Sequence, residues 1–217
     1  PHVDKIISLM SDGKVLPYID VPFQHANHEV LKRMKRPANS ENNLERILEW
    51  RKICPEIAIR STFIVGFPGE TEDEWQQTME YVESTGFGHM HIFSFSPREG
   101  TAAARFPGQI DKETKKERSR QMHELGARLK RIELEKNRGK TASVLWEQKI
   151  NVETGLWSGY TPQYHKVLSS SHTIQEASIS DVTIDQVSAD GLTLLSRSNQ
   201  TDGQKEVFSH FKDSYKP

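Results

Sequence analysis

Three short segments stand where a parallel α/β sheet meets its ligands, at the carboxyl ends of predicted strands: Gln24-His25, Gly66-Phe67-Pro68-Gly69-Glu70 and Phe95-Ser96. A glycine-flanked loop running into a helix can present backbone N–H groups to a carboxylate or phosphate. Gly66 and Gly69 are also what a plain turn needs, so both readings stand at this point. No GK[ST] follows, which excludes a Walker loop. His89 and His91 are two apart and would share one side of a strand, the spacing of two metal ligands. No further ligand accompanies them, so no metal site is expected and they read as partly buried polar residues near a strand. Arg60 falls in the middle of an apolar strand, where an unpaired guanidinium is costly. It is expected to meet a carboxylate, of the protein or of a ligand. Cys54, before Pro55 at a helix end, reads as a small apolar filler rather than a nucleophile.

The elements that must position these residues follow from spacing. Residues 17–24 alternate as a short strand with Pro22 near its end. Val30, Leu31 and Met34 suit one face of a short helix stopped at Arg36-Pro37. Ser40 is the expected N-cap of the next helix, in which Leu44, Ile47, Leu48 and Arg51 recur until Cys54-Pro55. Ile57–Phe67 is rich in β-branched residues, as a buried parallel strand is. Thr71-Glu72-Asp73-Glu74 has the form of a capping box, and Gly86 is a natural C-cap for the helix that follows. Another strand spans 89–96, and the alternation of strands with helices predicts parallel βαβ units with right-handed crossovers. A long helix is expected over 112–138, with Met122, Leu125, Leu129 and Ile132 on one stripe and Gly139 closing it. Residues 141–197 break instead into short alternating pieces (ASVLWEQ, HKVLSS, ASISDVTIDQV, LTLLSR) that predict a small β-barrel of OB-like kind. The tail is polar, though Val207, Phe208 and Phe211 suit a docked helical turn.

Composition narrows the functions. The 217 residues suit two domains, and 29 basic against 30 acidic residues exclude a globally basic nucleic-acid binder. A local basic face survives that count, because residues 111–140 hold eleven Lys or Arg against six acids, a net +5. With Tyr160, Tyr164, His165 and Lys166 interleaving aromatic and polar groups, this stretch makes a phosphate-binding surface one reading, and a solvated helix face beside an ordinary small domain the other. A single cysteine rules out an intramolecular disulfide and any multi-cysteine zinc or iron–sulfur site within these residues. Cysteine usage, the lack of a signal-like start and the lack of a run of roughly 18 apolar residues predict a cytoplasmic protein with no membrane partner.

Taken together, PYIDVPFQHAN, VLKRMKRPA, RSTFIVGFPGETEDEW and FSPREGTAAA resemble the radical S-adenosylmethionine (SAM) methylthiotransferase family. PYIDVPFQHAN, MKRPA, RKICPE and RSTFIVGFPGETE are most similar to the RimO type, which acts on an aspartate of a ribosomal small-subunit protein; SPREGTAAARFPGQ and GYTPQYHKV resemble the branches acting on an adenosine of transfer RNA. The resemblance implies the second half of a partial (β/α) barrel with a linker helix over 1–138, an all-β TRAM barrel over 139–203 and a polar tail over 204–217. It implies SAM and [4Fe–4S] clusters as cofactors, with the cluster cysteines absent from this chain, which is therefore expected to be a carboxyl-terminal portion, inactive alone and prone to associate through an open edge. Expected cofactor contacts are Gln24 at the methionine end, Ile64 and Gly66 under the adenine, Phe93 as an apolar wall and Arg60 toward a carboxylate. Tyr160, Tyr164 and Lys166 are the expected substrate or RNA contacts. The implied function is methylthiolation of the ribosomal protein, with a reductant protein as partner; the alternatives are the same chemistry on transfer RNA and a noncatalytic RNA- or ribosome-binding module.

Overall fold

The computed structural model describes residues 3–36 and 40–197; the expected polar tail with Val207, Phe208 and Phe211 lies outside the described residues, as does Pro37. The chain divides into two compact units, Pro1–Glu133 and Leu134–Pro217.

The first unit runs α1 (Val3–Ser11), β1 (Tyr18–Asp20), α2 (His28–Arg33), α3 (Ser40–Ile53), β2 (Ala58–Val65), α4 (Glu72–Thr85), β3 (His89–Ser94), a 3₁₀ turn (Ala103–Arg105) and α5 (Lys112–Glu135). Its sheet has the order β1-β2-β3, with both pairings parallel. Pro22 has no N–H to give to the ladder. Pairing therefore lapses after Val21 and resumes at Gln24, while the buried Ser61 hydroxyl accepts the Phe23 N–H at 3.3 Å. β2 alternates sharply. Ile59, Phe63 and Val65 enter a core shared with Ile7, Ile47, Trp75 and Met122, while Arg60, Thr62 and Ile64 are only half-buried on the other face.

The expected capping box is present, with the Thr71 hydroxyl accepting from the Glu74 N–H at 3.3 Å and the Glu74 carboxylate from the Thr71 N–H at 2.8 Å. Gly86 caps the other end of α4 at φ 64°. Cys54 is buried in the core as a filler, and burial pushes its thiol pKa up. Several expectations change. Ser40 is itself helical rather than a cap. Ile132 is 49% exposed and takes no part in the core that Met122, Leu125 and Leu129 enter. Helix α1 was not expected, although Val3, Ile7 and Met10 stand at helical spacing against the core.

The second unit is a closed five-stranded barrel of β4 (Thr141–Asn151), β5 (Leu156–Tyr160), β6 (Lys166–Ser170), β7 (Ile179–Val187) and β8 (Leu194–Arg197), in the order β4-β5-β6-β8-β7. Every pairing is antiparallel except β6 with β8. Val144, Trp146, Val167, Ile184 and Leu194 fill its interior.

Candidate functional site

The face of the first sheet opposite its core carries two layers. In the layer nearer the strand starts, Arg60 lies in register with Asp20 and His89. Its Nε stands 3.3 Å from an Asp20 carboxylate oxygen, one terminal nitrogen donates to the Tyr18 hydroxyl at 3.4 Å, and the other meets the His91 ring nitrogens at 2.7–3.0 Å. The expected carboxylate partner is thus Asp20, from the protein itself. His91 must accept from a cation, and it is exposed rather than partly buried. Among the described residues no group of three or more His, Cys, Asp or Glu is placed to hold a metal ion.

The second layer forms at the carboxyl ends. Gln24, at φ 70°, accepts the Ile64 N–H at 2.8 Å and gives its own N–H to the Thr62 carbonyl at 2.8 Å. Ile64 is in register with Phe93, which is 55% exposed, and Gly66 follows two residues on at φ 72°. Gln24, Ile64, Gly66 and Phe93 are therefore brought together. Arg60 is not among them, because four residues of strand separate it from Ile64, roughly 13 Å.

What fixes the loop after β2 is a buried charge network. Glu70, 2% exposed, folds back so that its carboxylate accepts the Gly66 N–H at 2.5 Å, faces His25 Nε2 at 3.3 Å and lies 3.4 Å from the Arg118 guanidinium. His25 Nδ1 accepts the Asn27 N–H at 3.0 Å, so Nε2 carries the proton that is donated to Glu70. Arg118 also holds the Glu70 carbonyl at 3.2 Å and the Glu72 carboxylate at 3.0 Å. From the other side Arg33 forks onto Glu74 at 2.7 and 3.0 Å and reaches the Gly69 carbonyl at 3.2 Å. Burial opposes the Glu74 charge, but the Arg33 fork and the Thr71 N–H outweigh it and lower the pKa. The loop's own carboxylate takes the Gly66 N–H. The Cα face of Gly66 is covered as well: a Cβ there would collide with Lys115 Cγ and stand 2.9 Å from Cδ. Lys115 Nζ then donates to the Phe95 carbonyl at 3.4 Å.

His25 and Glu70 lie in segments that sequence reasoning singled out, whereas Lys115 and Arg118 left no local signal. They are two of eleven basic residues between 111 and 140, and only the tertiary fold distinguishes them.

In the barrel, Tyr160 and Tyr164 stack with ring centroids 4.8 Å apart and planes at 23°. Tyr164 is 53% exposed and holds φ 63°, within a tight turn where Thr161 and His165 exchange backbone and hydroxyl hydrogen bonds. Burial, then Tyr164 and Glu147, push the Tyr160 pKa up. Lys166 pairs with Tyr160 in register, so all three expected contacts share one patch, bordered by Leu145 and Ile179. His165 departs from the expected surface, being 1% exposed.

Residues 1–82 match the Radical SAM superfamily. Curated relatives include the ribosomal protein uS12 methylthiotransferase RimO of Ralstonia nicotianae, 47% identical over 72% of this chain and 34% of the relative. The protein of the same name from Chromobacterium violaceum is 44% identical over 74% of this chain and 36% of its own length. That of an Acidovorax species is 48% identical over 70% of this chain and 33% of its own length. The chain spans about a third of the length of these relatives.

Proposed function

Because the chain belongs to the radical SAM methylthiotransferase family, in its RimO type, we propose that it contributes a cofactor-facing sheet and a partner-binding barrel to an enzyme that methylthiolates an aspartate of a ribosomal small-subunit protein. The observation that carries this reading is the convergence of Gln24, Ile64, Gly66 and Phe93 on the carboxyl ends of neighbouring strands, where α/β sheets bind ligands. S-adenosylmethionine held there would supply radical chemistry at an unactivated C–H bond. Gln24 offers a polar contact to its methionine end, Ile64 and Phe93 an apolar wall, and the loop at Gly66 a fixed backbone edge. Arg60 keeps the sheet face polar behind them, through Asp20. The residues of this chain do not fit a cluster: radical SAM clusters take about three thiolates, and the single cysteine is buried in the core. The chain alone is expected to be inactive, and electrons must come from a reductant protein in the cytoplasm.

We take the barrel as the TRAM module, with Tyr160, Tyr164 and Lys166 as its partner contacts. Its strands and turns, residues 141–197, carry six acids against three Lys or Arg, a net −3. Such a surface repels an RNA backbone and suits a basic ribosomal protein. A stacked tyrosine pair with Tyr164 exposed supports the other substrate, an adenosine of transfer RNA, since bases stack on such platforms. Whole-protein mass spectrometry of the small ribosomal subunit and nucleoside analysis of transfer RNA, in cells with and without the gene encoding this sequence, separate the two. Loss of a methylthio increment from the ribosomal protein is the expected result. Loss of a methylthioadenosine instead would replace the first substrate with the second.

A further inference from the structure

Lys115 occupies the first turn of α5 against the local electrostatic preference. The opening amides of a helix carry a partial positive charge and favour acidic side chains, yet Lys112, Lys115 and Lys116 all fall in or beside this turn. Lys115 is moreover half-buried, with its stem laid over Gly66. Its ammonium has three N–H donors, and among the described residues it makes one hydrogen bond, to the Phe95 carbonyl at 3.4 Å, which is long for an N–H···O bond. Arg118, one turn on, is consumed by Glu70 and Glu72; Lys115 has no carboxylate within ion-pair distance among the described residues. Gly66 directly follows β2 and Phe95 directly follows β3. The cation is therefore held between two neighbouring strand ends with most of its hydrogen-bonding capacity unspent.

The geometry points to Lys115 as a carboxylate-binding group of the strand-end site. This rests on the reading above that the strand ends face the cofactor and substrate. The carboxylate has two sources, the amino-acid end of the cofactor and the acidic side chain of a substrate. Both are tested on this chain, labelled with ¹³C at lysine Cε and ¹⁵N in the backbone, by NMR titration. One pair of probes is S-adenosylhomocysteine and its decarboxylated analogue; the other is N-acetylaspartate N-methylamide and its asparagine counterpart. In at least one pair the carboxylate-bearing probe should bind at least fivefold tighter and shift the Lys115 Cε signal. Lys115→Met keeps an unbranched stem over Gly66 and should erase that preference, while Lys115→Arg restores it; the backbone spectra of both verify the fold. A preference within the adenosyl pair assigns the carboxylate to the cofactor, and one within the aspartate pair to the substrate. Equal binding within both pairs, a preference that survives in Lys115→Met, or no binding at all overturns the assignment. If the adenosyl probes shift Gln24, Ile64 and Phe93 without discriminating the carboxylate, Lys115 loses its role and the cofactor reading stands. If they shift none of these while the aspartate pair discriminates at Lys115, the cofactor reading falls and the assignment stands.

Discussion

Replacing Gly66 by alanine tests whether its backbone conformation and the Lys115 stem together require a glycine there. At φ 72° an added Cβ costs about 1–2 kcal/mol from backbone sterics. The same Cβ collides with Lys115 Cγ, an atom too close to the helix backbone to move without taking the stem along. Displacing two methylenes from burial adds about 1.5 kcal/mol, at ~0.8 kcal/mol each. The expected loss is about 3 kcal/mol, which speeds native-state hydrogen exchange of the β2 amides roughly 150-fold. Mass spectrometry of a peptide spanning 58–65 reads this directly. Repeating the substitution in a Lys115→Ala background should leave only the backbone part, a coupling of roughly 1–2 kcal/mol. An acceleration below fivefold, or one equal in both backgrounds, would refute the reasoning, because the glycine would then answer to something other than Lys115.

Glu70→Ala should destabilise the first unit by about 2–4 kcal/mol, since it leaves the buried Gly66 N–H and His25 Nε2–H without their acceptor while Arg118 keeps Glu72; Glu70→Gln should cost less, and urea unfolding compares them. Asp4 joins α1 to α3 through Arg46 and Trp50, and these hydrogen bonds hold its pKa down at about 2, below the ordinary 3.8. A carboxylate with a lowered folded pKa stabilises above its unfolded value and stops doing so as the pH falls through the folded one. Asp4→Asn should therefore lower Tm at neutral pH, and its difference from the parent chain should shrink as the pH falls from about 4 toward 2. Burial pushes the Tyr81 phenol pKa up to about 12 from 10, so the fold favours the neutral form; a tyrosinate absorbance titration should find a component ionising near 12 that is lost in Tyr81→Phe, with stability falling between those two values.

Much of this architecture could be read locally. The alternation in β2, the Thr71–Glu74 box and the Gly86 cap each depend on neighbours within a few residues, and spacing reports such features. β5 was missed because Gly155 and Gly159 look like breaks; in the barrel Gly159 is a strand residue whose missing Cβ leaves room for Val144 and the Trp146 ring. Arg60 could be recognised as needing a carboxylate, but that the carboxylate is Asp20 follows only from strand register. The clasp on the loop after β2 was least legible. Arg33, Arg118 and Lys115 come from two helices remote in sequence, and each is one cation among many until the chain folds.

The single parallel pairing in the barrel constrains how it can form. β8, only four residues long, lies between β6 and β7 and must insert there after both exist. Until it does, the remaining strands make an open ribbon in the order β7-β4-β5-β6 with two unpaired edges. Closure comes when β8, the hairpin neighbour of β7, also pairs in parallel with β6, a non-local contact that slows folding. On a translating ribosome the ribbon must wait for Leu194–Arg197 to emerge, and for that interval its edges are open to pairing with other nascent strands.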